Sequence, residues 1–281
     1  MTQAQKGCED GIIWIASYPK SGNTWLRLLL GNYFYAKDAP LTINTIQKVI
    51  KGDVSAALYR PVCKDKGWSF KKSIDDVTKR EYFMRAYIRS AAGTPFLKTH
   101  SCFHVQEGVP YFAEGYTKGF ICIVRDPRDV ACSYARHLGV DIDGALERMS
   151  NKKYAVISDE GKSEFISSWD AHVNSFAQTG FPTMVIRYED LLNNTKQVFG
   201  SVIQNLTGGV DEAKLDFAVE HSDFAVLQSQ EKQEGFLEAS SKNDRFFERG
   251  RAGGWKDTLS AKQAKAVEER FGKVMKNLKY L

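Results

Sequence analysis

The run Ser17-Tyr18-Pro19-Lys20-Ser21-Gly22-Asn23-Thr24-Trp25 constrains this chain more than any other stretch. The apolar run Gly11–Ala16 precedes it and the apolar-rich Leu26–Leu30 follows it, which is the pattern of a strand, a tight polar turn and a helix start. Such a turn gathers backbone N–H groups at a helix N-terminus, where an anion is favoured. Lys20 adds a full positive charge, and Ser21, Asn23 and Thr24 add side-chain donors around Gly22. The loop is therefore a candidate cradle for a phosphate or sulfate group, with Trp25 on the first helical turn able to cover a flat ring. It is not the nucleoside-triphosphate loop, which needs two spaced glycines followed by Lys and Ser or Thr. Here Lys20 precedes the only glycine.

Bulk properties narrow the function classes. A chain of 281 residues fits one large domain or two small ones, and 43% hydrophobic with 26% charged residues is the composition of a globular protein. The net charge of +5 suits an anionic ligand, but charge runs such as Lys71-Lys72 are too short to announce nucleic acid. No apolar stretch is long enough for a transmembrane helix, and Met1–Asp10 is polar and lacks a signal-peptide core. The cysteines, Cys8, Cys63, Cys102, Cys122 and Cys132, are odd in number and none form a C-x-x-C pair. The expectation is a reducing cytoplasm with no disulfide framework and no structural zinc, Cys122 and Cys132 being small core residues.

Along the chain, apolar strands alternate with amphipathic segments. Strands are expected at Gly11–Ser17, Pro95–Thr99, Gly119–Val124 and Thr183–Tyr188. Helices are expected at Thr24–Tyr35, Pro127–His137, Ser163–Gln178, Glu189–Leu206, Asp211–His221 and Ala261–Leu278. This order argues for a three-layer α/β/α fold with a central parallel sheet, connected in the right-handed sense. Lys37–Thr94 should form a mostly helical insertion near the mouth of a site, and Lys232–Gly254 a long functional loop. No repeat or linker divides the chain, so residues 1–281 are expected to form one domain. Ligands of open α/β sheets bind beyond the carboxyl ends of the strands. Those ends carry Lys20, then Lys98-Thr99-His100, then Arg125-Asp126-Pro127-Arg128, then Tyr188-Glu189-Asp190, so four strands deliver polar groups to one rim.

Each strand end also resembles a signature of the cytosolic-type sulfotransferases, which use 3′-phosphoadenosine 5′-phosphosulfate (PAPS) as donor and release PAP. The resemblance runs from about Gly11 to Leu259, with weaker stretches between motifs. The first loop is similar to T-Y-P-K-S-G-T-T-W, with Ser17 and Asn23 in place of threonines, and implies a P-loop-like phosphosulfate-binding loop formed by Lys20, Ser21, Gly22, Asn23, Thr24 and Trp25. Pro95–His100 resembles the strand that ends in K-T-H, which implies that His100 is the general base. A neutral imidazole suits that task near pH 7, because an alcohol or phenol needs its proton removed as it attacks. His104, His137, His172 and His221 have weaker claims.

Arg125 to Ser133 resembles R-N-P-x-D-x-x-x-S, the family's 3′-phosphate motif, with Asp126 in place of Asn. Pro127 suits the first helical position and Asp126 the cap. Arg128 and Asp129 are expected to be solvent pairs without a chemical role. Ile186–Leu191 resembles the segment whose tyrosine, here Tyr188, contacts adenine. His221–Phe224 resembles an H-T-S-F segment, which implies that Ser222 contacts the nucleotide and that Phe224 stacks opposite Trp25. Phe247–Lys256 resembles the closing loop R-K-G-x-x-G-D-W-K, which places Arg249 and Gly250 on the 3′-phosphate. Glu248 stands where that motif has its first Arg, so either the register shifts or Arg251 takes over. The C-terminal dimer motif K-x-x-x-T-V-x-x-x-E keeps Lys256 but has Ser260, Ala261 and Lys265 at its other defining positions, which leaves monomer and dimer open.

The resemblance implies in-line sulfuryl transfer in which positioning and charge stabilisation dominate. Lys20 would stabilise the leaving phosphate, Lys98 would hold the sulfuryl oxygens and His100 would take the acceptor proton. No carboxylate cluster or His/Cys spacing suggests a metal. A P-loop-like nucleotide kinase and a non-catalytic nucleotide- or polyanion-binding module are the alternatives. Trp68, Phe70, Phe103, Tyr111, Phe112, Tyr134, Phe246 and Phe247 are candidates for an apolar acceptor pocket, which favours a small organic alcohol, phenol or amine and neither nucleic acid nor membrane as partner.

Overall fold

The computed structural model describes residues 11–91, 93–158, 161–239, 245–248 and 250–281. Strand β1 (Ile12–Ala16) enters the polar turn, and α1 (Asn23–Phe34) leaves it. The insertion that follows holds α2 (Ile46–Val49), α3 (Ala56–Lys66), α4 (Phe70–Ser73) and α5 (Arg80–Ser90). Next come β2 (Phe96–Thr99), the small hairpin β3 (Val105–Gln106) and β4 (Val109–Pro110), and the long strand β5 (Thr117–Val124). Helices α6 (Pro127–Leu138) and α7 (Ile142–Ser150) precede a second hairpin, β6 (Ala155–Ile157) and β7 (Ser163–Phe165). The chain continues through α8 (Trp169–Ser175), β8 (Thr183–Arg187), α9 (Tyr188–Asn193), α10 (Thr195–Thr207), α11 (Glu212–His221), α12 (Phe224–Glu234) and α13 (Ala261–Asn277).

The central sheet has the order β2-β1-β5-β8 and is parallel throughout. Every residue of β1 is buried, because helices cover both faces, and this is why β1 is continuously apolar rather than alternating. Ile13 and Ile15 pack with Leu26, Leu29 and Leu30 of α1, with Leu191, and with Phe199 and Ile203 of α10. Ile12, Trp14 and Ala16 pack on the other face with Leu58 and Tyr59 of α3, Phe83 and Met84 of α5, and Tyr111 and Phe112. A third cluster joins α6, α8 and α13 through Val130, Tyr134, Trp169, Val267 and Phe271. Neighbours flank β1 on both sides and belong to different crossovers, so the crevice beyond its carboxyl end is the topological switch point.

The α/β architecture agrees with the sequence reading, with three differences. Ser163–Gln178 is not one helix: Ser163–Phe165 pairs with β6, and α8 begins only after Ser167, which has φ +64°, and the extended Ser168. The hairpin is pinned from a distance, since Asp75 accepts from Lys162 Nζ at 3.1 Å and from Ser163 Oγ at 2.7 Å. Glu189–Leu206 is broken at Asn194, where φ −141° and ψ 56° separate α9 from α10. Helices α7 and α12 were not anticipated, and the last turn of α12 occupies the start of the expected loop. Among the described residues no helix is long and apolar enough to cross a membrane.

Candidate active site

A cavity of about 490 Å³ lies at the carboxyl edge of the sheet. Lys20, Gly22, Asn23, Thr24, Trp25, Lys98, His100, Arg125, Ser133, Tyr188, Phe224 and Gly250 all line it. The four strand ends do meet at one rim. Thr99 does not join them: it is fully buried and donates to Asp53 Oδ2 at 2.8 Å. Arg249 lies outside the described residues.

The turn after β1 takes its shape from two left-handed residues, Lys20 at φ +67° and Gly22 at φ +105°. Gly22 has no substitute here, since a Cβ would lie 2.7 Å from the Tyr188 ring. Asn23 ties the loop to β1 by donating to Ile15 O at 3.0 Å and to Ser17 Oγ at 3.1 Å. Its amide nitrogen is thus committed inside the protein, while its buried Oδ1 has no partner. Ser21 is fully buried and does not line the cavity, and its Oγ has no partner.

Arg125 bridges both sides of the site. Its guanidinium stacks 4.3 Å over the Tyr188 ring and donates to Lys20 O at 3.3 Å and to Arg251 O at 3.1 Å. Its buried Nε has no partner. Lys20 Nζ sits 3.7 Å over the Phe246 ring. Burial, then the positive charges of Arg125 and Arg136, pull the Lys20 ammonium down to about 7. Among the described residues, none of Lys20, Lys98 and Arg125 forms an ion pair with a carboxylate. Three basic groups that converge with no carboxylate paired directly to them, beside the orphaned Arg125 Nε, are a donor set that fits a bound polyanion.

His100 follows β2. Its Nδ1 lies 2.8 Å from Ser17 O. A carbonyl can only accept, so Nδ1 carries the proton and Nε2 keeps its lone pair. Burial, reinforced by the charge of Lys98, holds the imidazole well below its usual range, so it is neutral. The His100 backbone N–H donates to Glu164 Oε1 at 3.3 Å.

The aromatics expected to meet the adenine are set by α1, α9 and α12. Trp25 Nε1 donates to Ser222 O at 2.9 Å, and the Trp25 ring meets Tyr188 edge-on at 5.8 Å. Ser222 departs from the expectation. It is fully buried, its Oγ accepts from Asn32 Nδ2 at 3.1 Å, and it does not line the cavity. Its place is behind Trp25, because it ends the turn that links α11 to α12. Phe224 opens α12 and packs so closely on Gly250 that a Cβ there would lie 2.5 Å from its ring.

The segment before α13 closes the cavity. Asp129 Oδ2 and Oδ1 accept from Gly253 N at 2.7 Å and Trp255 N at 2.9 Å. Glu231 accepts from Phe246 N at 2.5 Å and Phe247 N at 2.8 Å. Glu248 pairs with Arg136 Nε at 2.8 Å, and Arg251 pairs with Asp257 at 2.7 Å. Arg128 and Asp129 are therefore not solvent pairs. Both are buried, and Arg128 binds Asp126, Glu268 and Tyr280 O while lying over Trp255.

Of the expected acceptor-pocket aromatics, Tyr134, Phe246 and Phe247 line the cavity. Trp68, Phe70, Phe103, Tyr111 and Phe112 belong to the core on the opposite face of the sheet, where Tyr111 stacks on the buried Arg80. The sequence reading gave His137 only a weak claim and missed Arg136, Val156, Glu164, Ile166 and Glu238; all six line the cavity from α6, the β6–β7 hairpin and the segment after α12. The insertion contributes Gln47, Lys51 and Val54, as its expected position implied. Among the described residues no group of His, Cys, Asp and Glu is arranged to hold a metal.

A parallel sheet whose carboxyl edge carries this loop, this histidine and these cations defines a class, and comparison with known proteins agrees. The family model described as a sulfotransferase domain matches residues 10–279, so the chain belongs to that family. It is 25% identical over 250 residues to luciferin sulfotransferase from Photinus pyralis, covering 86% of this chain and 64% of that protein. The chain thus spans less than two thirds of that relative. Among solved structures, it shares its fold with mouse sulfotransferase SULT7A1 complexed with PAP, at 20% identity and TM-score 0.60, covering 96% of this chain and 86% of the other. It is likewise similar to retinol dehydratase in complex with androsterone and inactive cofactor PAP, at 17% identity and TM-score 0.61, covering 95% and 81%.

Proposed function

We propose that this protein is a sulfotransferase that moves the sulfuryl group of PAPS to a hydroxyl or amine of a small organic acceptor. One observation carries the reading: Lys20, Lys98 and Arg125 line the same cavity as His100, whose only protonated ring nitrogen is tied back to Ser17 O. A site made only to dock a polyanion has no use for a neutral imidazole with a free lone pair. The relatives crystallised with PAP support the choice of donor, and the androsterone complex supports a small organic acceptor.

PAPS supplies the activated sulfuryl group. In this reading Arg125, Ser133, Arg249 and Gly250 hold the 3′-phosphate, and Trp25, Tyr188 and Phe224 hold the adenine. The loop N–H groups from Ser21 to Thr24 receive the 5′-phosphate, and Lys20 counters the charge that grows there as the bond to sulfur breaks. Lys98 orients the transferring oxygens. His100 Nε2 accepts the acceptor proton as the new bond forms. Closure by residues 245–254 excludes water, which would otherwise compete as acceptor. No metal is assigned a role.

The deciding experiment incubates the protein with PAPS carrying labelled sulfate and a panel of phenols, alcohols and amines, and follows transfer by mass shift. Calorimetry compares PAP with ATP. Transfer together with preference for PAP supports the reading. Tight PAP binding without transfer to any acceptor points to a binding module, and phosphoryl transfer from ATP points to a kinase.

A further inference from the structure

The acceptor end of the cavity contains one acidic group that the transfer chemistry leaves unused. Glu164 lies in β7 and lines the cavity with Val156, Ile166, Tyr134 and His137. The hairpin that carries it is anchored through Asp75, so its position is fixed by contacts outside the site. One carboxylate oxygen accepts a 3.3 Å bond from the His100 backbone N–H. Among the described residues no Lys, Arg or His forms an ion pair with Glu164. The other carboxylates at the cavity are already committed: Glu238 to Arg27, Glu248 to Arg136, and Asp129 to the backbone of the closing segment. Burial pushes the Glu164 carboxyl up to about 7, against the pull of Lys98.

A carboxylate with one long hydrogen bond and no paired cation, buried in a cavity wall, is costly unless the ligand satisfies it. Once a polyanionic donor engages Lys20, Lys98 and Arg125, Glu164 is left without a compensating charge. We propose that Glu164 selects an acceptor that carries an ammonium group in addition to its reacting hydroxyl, the carboxylate receiving the ammonium while His100 receives the hydroxyl proton. This rests on the sulfotransferase reading above. It adds the chemical class of the acceptor, a cationic amino-phenol or amino-alcohol, and names the residue that recognises it. The groups facing Glu164 fit this division of labour. His100 and His137 are both held neutral by burial, His137 at about 4, so neither repels an incoming cation. Lys98 is the cavity-lining cation that acts most on Glu164, and in this reading the transferring sulfuryl group engages it.

The test uses two phenols of nearly equal size, tyramine with its ammonium and 4-propylphenol without one, on the full chain and on Glu164→Gln. The native protein is expected to sulfate tyramine with the higher kcat/KM. Glu164→Gln should lose about tenfold or more for tyramine, the scale of an unpaired charge contact, while keeping or gaining activity on 4-propylphenol. PAP affinity in the variant should stay native, which also reports that it folds. Equal losses on both phenols would make Glu164 a support for the His100 backbone and overturn the selection role. A native protein that sulfates 4-propylphenol as well as tyramine overturns the selection role alone and leaves the sulfotransferase reading intact. A native protein that sulfates neutral members of the wider panel but neither tyramine nor any other amino-phenol or amino-alcohol also overturns the selection role alone, and one that binds PAP and transfers to no member of the panel overturns both.

Discussion

His100 Nδ1 lies 2.8 Å from the carbonyl oxygen of Ser17, and the Ser17 hydroxyl, 3.2 Å from the same nitrogen, accepts from Asn23 Nδ2 at 3.1 Å. Ser17 and Asn23 are the two places where the loop differs from the sulfotransferase pattern it resembles, and they touch each other. The first turn of α1 is thereby wired to the residue that follows β2, so the loop after β1 and His100 are one assembly.

This geometry predicts the pH profile. The base must be neutral, and burial with the Lys98 charge lowers the His100 pKa well below 6.5. The limb that rises with pH should therefore lie below 6.5, with no further gain from His100 above it. Measuring kcat/KM for a poorly acidic acceptor from pH 5 upward checks this. His100→Ala should lose roughly two or more orders of magnitude in turnover with PAP affinity retained. A rising limb centred near pH 7 that His100→Ala leaves in place would assign the titration elsewhere.

Lys20 gives the opposite slope. Its ammonium titrates at about 7 in the free protein because burial and the Arg125 charge disfavour it. A bound phosphate favours the charged form, so binding raises that pKa and takes up a proton wherever the free amine is neutral. PAP affinity should therefore fall as pH rises from 7 to 9. Calorimetry at pH 8 in two buffers of different ionisation enthalpy should register proton uptake, and Lys20→Met should abolish both effects.

Much of the fold and site was legible because the signals are local. The turn from Ser17 to Trp25, the Asp126 cap with Pro127 at the first helical position, and the apolar strands each need only neighbouring residues. What was missed depends on contacts far apart in sequence. Ser222 looks like a nucleotide contact until Asn32, 190 positions away, is seen to hold its hydroxyl. Glu164 reaches the cavity only because Asp75 anchors its hairpin, and Glu238 only because Arg27 holds it at 2.8 Å. The aromatics Tyr111 and Phe112 suit either a pocket or a core in any sequence reading, and the buried Arg80 beneath them decides for the core.

Asp129 should act as a clamp on the closing segment. It is buried in α6 and accepts two backbone N–H groups from the closing segment. Asp129→Ala removes both bonds and leaves the half-buried Gly253 and Trp255 N–H groups to water, at a cost of about 1 kcal/mol for each bond lost. Hydrogen exchange should rise in residues 250–257 and PAP should dissociate faster, while exchange in the central sheet stays native. Unchanged exchange in that segment would mean the clamp is not what holds it.

Gly250 and Phe224 offer the last test, on the side proposed to hold the nucleotide. Gly250 has φ +54°, and a Cβ built there would lie 2.5 Å from the Phe224 ring. The substitution Gly250→Ala therefore meets two obstacles, a left-handed backbone and an aromatic ring that must move. Strain of this kind costs about 1–3 kcal/mol. The closing segment carries Gly250, so the cost is expected to appear as a displaced segment and Phe224 ring rather than as global unfolding. PAP affinity should fall by roughly tenfold or more, since both residues line the cavity. The melting temperature without ligand should change little. Phe224→Leu in the Gly250→Ala background relieves the clash with the ring, so a double variant that binds no better than Gly250→Ala alone would show that the aromatic face of Phe224 itself contributes to nucleotide binding. Native PAP affinity in Gly250→Ala would remove the pair from the nucleotide site.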